Sequence, residues 1–82
     1  MLVNIKYFAS VREAIGRAEE ARETQSSTLS ELRDELISAG PPYDCLGRSR
    51  VVRMALNHVM RDEGARLAAG CEVAFFPPVT GG

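Results

Sequence analysis

The chain has 82 residues, a formal net charge of −1 and an ordinary apolar fraction of 45%. That length fits one domain, which buries about 60–65% of its unfolded surface and leaves little room for an internal substrate pocket. The near-neutral charge gives no basic footprint for nucleic acid, and no apolar run approaches the ~20 residues of a membrane span. The start of the chain, Met1-Leu2-Val3-Asn4-Ile5-Lys6, lacks a signal peptide's apolar core, so the expected compartment is the cytoplasm.

Leu2 to Phe8 alternates as a strand, with Val3, Ile5 and Tyr7 on the expected core face and Asn4, Lys6 and Phe8 on the other. Ala9 to Gly16 reads as a short helix, capped by Ser10 with Glu13 closing a capping box and Gly16 as the residue that ends it. The polar segment after it holds a charged edge strand, Ala18 to Glu23, the usual guard against edge-to-edge association. Thr28 to Ala39 is the main helix. Thr28 and Glu31 form its capping box, Leu29, Leu32, Leu36 and Ile37 form its core stripe, and Arg33, Asp34 and Glu35 take the solvent side. Gly40 and Pro41-Pro42 forbid its continuation.

Pro41 to Ser49 is a loop with a helical turn near Tyr43 to Leu46. Arg50 to Asn57 is a strand, with Val52, Met54 and Leu56 alternating against Arg53 and Ala55. Asn57-His58 marks a tight turn into a short return strand, Val59 to Arg61, and Asp62-Glu63-Gly64 turns again. Cys71 to Phe76 is the last strand, with Cys71, Val73 and Phe75 on one face and Glu72, Ala74 and Phe76 on the other. Pro77-Pro78 then stops the sheet, since neither residue can donate a ladder hydrogen bond.

Strand, short helix, strand, long helix and three strands match an α+β, β-grasp arrangement, a mixed sheet of about five strands on one main helix. Its first and last strands neighbour each other at the centre. The expected division is a domain over residues 1–76 and an extended, flexible tail over 77–82.

No catalytic constellation emerges. Cys45 and Cys71 lack metal-ligand spacing, and Cys71 has core parity. His58, at a turn, has no acidic or cysteine partner near it in sequence and reads as a surface histidine. Lys6 is the single lysine beside nine arginines, the one internal amine open to acylation. The terminal Gly81-Gly82 is either an idle end or a means of sliding a reactive carboxylate through a narrow channel, backbone first. The stiff Pro77-Pro78 mount favours the second reading. From Pro77 to Gly82 the extended tail reaches roughly 20 Å.

The segment Glu72-Val73-Ala74-Phe75-Phe76-Pro77-Pro78-Val79-Thr80-Gly81-Gly82 closely resembles the end of the small subunits of molybdopterin synthase, the MoaD family of ubiquitin-like sulfur carriers. Tyr7 to Gly16 resembles that family's first strand and helix, and Ala55-Leu56-Asn57 its third-strand ending. Between Arg17 and Arg53 only the pattern of elements matches, and Cys71 stands where many members carry an acidic turn residue.

The resemblance implies a carrier that binds no permanent cofactor and is not catalytic on its own. Its Gly82 carboxylate is adenylated by an E1-like, ATP-dependent activating enzyme and converted by a sulfur donor to a thiocarboxylate. The sulfur then passes to cyclic pyranopterin monophosphate inside the large synthase subunit, two carriers flanking a dimer of large subunits. Pro77, Pro78, Val79, Thr80 and Gly81 form the inserting tail, and Phe8, Met60 and Phe76 the apolar contact with the large subunit. Arg12, Arg53 and Arg61 are candidates for an acidic partner rim. A carrier for thiamine or tRNA thiolation, a protein modifier joined to lysines, and a simple ubiquitin-like interaction module remain as alternatives.

Overall fold

The computed structural model describes residues 1–78. In chain order the elements are β1 (Leu2–Tyr7), α1 (Ala9–Ile15), β2 (Glu19–Glu23), α2 (Leu29–Ser38), a 3-10 turn (Tyr43–Leu46), β3 (Arg53–Leu56), β4 (Val59–Met60) and β5 (Glu72–Phe76). The strands form one sheet in the order β2-β1-β5-β3-β4. β1 and β5 run parallel at its centre, and the other pairings are antiparallel. This is the β-grasp topology, with the charged β2 at one edge as its composition predicts.

Alternation sets the core. Val3, Ile5 and Tyr7 of β1 and Val73 and Phe75 of β5 are buried against Leu29, Leu32 and Leu36 of α2. The Tyr7 and Phe75 rings stack with centroids 6.2 Å apart. Cys71 joins this core as a small buried hydrophobe. Leu46, from the 3-10 turn, closes one end. Gly16 and Gly40 end the two helices at φ values of 87° and 85°, a region where a side chain is strained. Asn57 and His58 both have positive φ, as the tight turn between β3 and β4 requires.

Three local readings are corrected. Ser10 does not cap α1. The cap position falls on Phe8, whose carbonyl accepts from the N–H groups of Val11 and Arg12, so Ser10 already lies inside the helix. At α2, Thr28 does cap through its hydroxyl, which accepts from the Glu31 N–H at 3.2 Å. The returning Glu31 carboxylate takes the N–H and hydroxyl of Ser27 instead, both at 2.7 Å.

The third concerns Arg33, which is buried rather than on the solvent side. Its guanidinium donates to the carbonyls of Leu46 (2.7 Å), Gly47 (3.1 Å) and Arg50 (3.1 Å) and to the Glu63 carboxylate (2.7 Å). It fastens the 46–50 loop to α2. Arg48 closes the same cluster from outside, donating to Glu63, Asp34 and Ser30. Burial alone would raise the Glu63 carboxyl, but the hydrogen bonds from Arg48 and Arg33 outweigh it and hold the group below its usual range.

A second polar cluster joins β2 to α2. The Glu35 carboxylate accepts from Arg22 (2.5 Å), from the buried Thr24 hydroxyl and from Ser26 (2.9 Å). The Glu20 carboxylate accepts from the Tyr7 and Tyr43 hydroxyls, both at 2.7 Å. Burial first, and the hydrogen bond to Glu20 second, push both phenols above their usual range.

Candidate functional site

The helices cover one face of the sheet and leave the other open. Its tail end is built by a turn that a sequence rarely advertises. Phe8 continues the extended path of β1 for one more residue, and its N–H donates to the Phe75 carbonyl at 3.1 Å. Ala9 then takes φ = 51° and swings the chain into α1. An alanine in that region costs about 1–2 kcal/mol. The turn leaves the Phe8 side chain outward, 46% exposed, on the face opposite Tyr7.

The register assembles the rest. Tyr7 pairs with Phe75, so Phe8 falls beside Phe76, and Phe76 pairs in turn with Arg53 on β3. One step further from the tail, Lys6, Ala74, Ala55 and Met60 form a continuous row across four strands. The two alanines are 9% exposed and form its floor, while Met60 at the sheet edge is 60% exposed. Phe8, Phe76 and Met60 therefore share one face, with Phe76 half-buried. Such a cluster on a small domain marks an interaction surface.

Arg53 is brought to the edge of this patch, facing Phe76. Arg12 and Arg61 are exposed, and none of the three arginines forms an ion pair among the described residues. Ala55 and Ala74 lie within this row and Arg53 beside it; Arg53 was already a rim candidate, whereas residue type alone did not single out the two alanines. The signal was present in the alternation of β3, but it becomes usable only once β3 is known to pair antiparallel with β5.

The opposite end of the open face is polar. A concavity of about 370 Å³ there is lined by Asn4, Lys6, Glu19 and Glu72 among others. Lys6 Nζ lies 3.3 Å from Glu72 Oε1, and His58 Nδ1 lies 3.3 Å from Glu72 Oε2. His58 is thus exposed, as expected at its turn, but finds in space the acidic neighbour it lacks in sequence. Cys45 sits in the 3-10 turn. Burial first, then the Asp44 charge, raise its thiol above the usual range, so it stays protonated near neutrality.

β5 carries the chain out of the sheet's centre through Pro77 and Pro78, both half-buried. Val79, Thr80, Gly81 and Gly82 lie outside the described residues. Among the described residues no cluster of histidine, cysteine and carboxylate side chains is arranged to hold a metal ion, and no helix is long and apolar enough to cross a membrane.

Comparison with known proteins agrees with this geometry. The ThiS family profile matches residues 5–82. The molybdopterin synthase sulfur carrier subunit of Haemophilus influenzae is 31% identical over 81 residues, covering 99% of this chain and 100% of the relative. Small archaeal modifier protein 1 of Haloferax volcanii superposes with a TM-score of 0.78 at 26% identity, over 95% of this chain and 98% of that one. A chain from the complex of subunits 1 and 2 of the Helicobacter pylori molybdopterin-converting factor superposes with a TM-score of 0.69 at 25% identity, with both chains covered in full. Matched from end to end in sequence and in fold, the chain belongs to the ThiS family, among its MoaD-type sulfur carriers.

Proposed function

We propose that this protein is the sulfur carrier subunit of a molybdopterin synthase and that the Gly82 carboxyl is its reactive group. What supports the reading is the course of β5, which leaves the centre of the sheet at Phe76, beside Phe8, and passes into Pro77-Pro78, with Gly81-Gly82 ending the sequence shortly after. A partner that rests on this patch has the root of the tail at hand. The relatives named as carrier subunits, and the Helicobacter pylori complex of subunits 1 and 2, point to a large subunit as that partner.

The chemistry follows from the weakness of a carboxylate as an electrophile. An E1-like activating enzyme joins the Gly82 carboxylate to AMP from ATP, with pyrophosphate leaving. Sulfide supplied by a sulfur donor then attacks the carbonyl carbon and AMP departs, leaving a thiocarboxylate. Within the large subunit its sulfur is transferred to cyclic pyranopterin monophosphate, and water restores the oxygen at Gly82. The chain's own residues bind and aim. Phe8, Phe76 and Met60 dock the open face, Pro77 and Pro78 set the direction, Val79 and Thr80 make strand-like or pocket contacts within the channel, and Gly81 and Gly82 pass its constriction without side chains. Two carriers on a dimer of large subunits, in the cytoplasm, complete the assembly.

The test is mass spectrometry after incubation with an activating enzyme, ATP and a sulfur donor. The expected product is heavier by the difference between one sulfur and one oxygen, at the terminal glycine. One added residue after Gly82 abolishes the gain without changing the fold. A gain that survives deletion of Gly81-Gly82 overturns the proposal.

The likeness to small archaeal modifier protein 1 favours one second reading, in which activated Gly82 is joined to lysines of other proteins. A covalent adduct that appears with ATP and activating enzyme, but needs no sulfur donor, distinguishes it.

A further inference from the structure

On the far side of the tail's root from Phe8 lies a groove of about 210 Å³ that the docking patch does not include. Val11 and Ala14 of α1, Cys45, Val52 and Pro77 give it a largely apolar lining, which Ser10, Arg50 and the exposed Val51 complete. Val51 is 66% exposed, the most exposed large hydrophobic residue among those described. The segment that carries it is held in place, because buried Arg33 grips the carbonyls of Leu46, Gly47 and Arg50. The Arg50 side chain forms no ion pair among the described residues.

We infer that this groove is a second docking point for the large subunit, which seats one apolar side chain between Val51 and Pro77 and places a carboxylate against Arg50. The inference rests on the carrier reading above. Two observations select the occupant. Pro77 is at once a wall of the groove and the first residue of the tail. A protein that encloses Val79 to Gly82 in a channel must close around Pro77, and so must meet this wall as well as Phe8 and Phe76. The groove's chemistry then fixes what it meets: an open, largely apolar groove with room for one side chain, and the Arg50 cation in its lining, without an ion pair among the described residues. The tail would be gripped from both sides at its root, which restrains its direction better than a single patch can.

Affinity of the folded carrier for the large subunit, measured by calorimetry at two salt concentrations, tests this. Val51→Asp and Arg50→Glu are each expected to weaken binding about tenfold, with Arg50→Glu also reducing the salt dependence. Leu2→Asp, an exposed apolar position at the other end of the sheet, is expected to bind as wild type. Thermal unfolding of each variant checks that the fold is retained, and Val51→Ser serves where Val51→Asp unfolds. Wild-type affinity for both groove variants, with Phe8→Ala still weakened, overturns the groove and leaves the carrier reading standing. Wild-type affinity for Phe8→Ala and for deletion of Gly81-Gly82 as well removes the carrier reading itself.

Discussion

The two faces of the sheet are made from the same strands, offset by one residue, and they meet opposite fates. On the covered face Val3, Ile5, Val73 and Phe75 are buried to 0% exposure. On the open face their immediate neighbours include Phe8, Phe76, Lys6 and Glu72, exposed or half-buried. The difference teaches that in this chain position parity separates the apolar core from the surface left open to a partner. A substitution on the covered face removes apolar surface already withdrawn from water. One on the open face removes surface that is withdrawn only when a partner arrives.

The adjacent phenylalanines of β5 and its neighbour give the hardest test of that contrast. Phe75→Ala is expected to destabilise the fold by about 3–5 kcal/mol, because it opens a cavity under the Tyr7 ring and leaves the core little means of collapse. In a domain this small, that consumes most of the stability. Denaturant unfolding measures it. A cost near that of an exposed residue breaks the division into faces.

Arg33 sharpens the comparison, since it is a charge placed on the covered side. Arg33→Met removes the donor to three carbonyls and to Glu63, at an expected cost of about 2–3 kcal/mol. The loss should be concentrated in the loop, with faster amide hydrogen exchange over residues 46–50 than in β1 or β5. Uniform loss across the sheet contradicts the loop-fastening role.

Phe8→Ala works in the other direction. Nearly half the side chain already faces solvent, so the expected change in unfolding free energy is within about 1 kcal/mol. Binding of the large subunit is expected to weaken by about 2 kcal/mol, roughly 30-fold. Calorimetric titration beside a denaturation curve separates the two quantities. A large stability loss with unchanged affinity would move Phe8 into the core.

How much of this could be read from the chain depends on the range of the interactions involved. Alternation in β1 and β5 and the Leu29, Leu32, Leu36 stripe carry the core almost unaided, because each is a local periodicity with a strong apolar signal. The resemblance of the segment from Glu72 to Gly82 carried the family. The α1 cap was missed because it depends on Ala9 adopting a positive φ, which its residue type does not announce. Arg33 was misplaced because helix geometry sets it one position from Leu32, at the border of the stripe, and the carbonyls that bury it arrive from residues 46–50. The Glu72 neighbourhood of His58 and the position of Arg53 beside Phe76 likewise need the register between β3 and β5, which no local pattern encodes.

The smallest expected effect concerns pH, and it again divides the faces. Burial would raise the Glu35 carboxyl, but hydrogen bonds from Thr24, Arg22 and Ser26 win and hold it below its ordinary value of 4.5. A carboxyl whose folded value is depressed adds stability that is present in full above its unfolded value and is lost as pH falls through the folded one. Glu63 has the same sign through Arg48 and Arg33. Both clusters lie on the helix side, so acid should loosen the attachment of α2 to β2 and to the 46–50 loop. Thermal unfolding followed from about pH 6 down to about pH 3 should show a midpoint that declines once pH drops below the ordinary carboxylate range. Glu35→Gln should flatten that decline while lowering the midpoint at neutral pH, since the amide keeps an acceptor oxygen but loses the charge that Arg22 pairs with. Both carboxylates are partly solvated, so each contribution is small, and a midpoint that is flat across the range in the wild type removes both clusters from the account of what holds the helix in place.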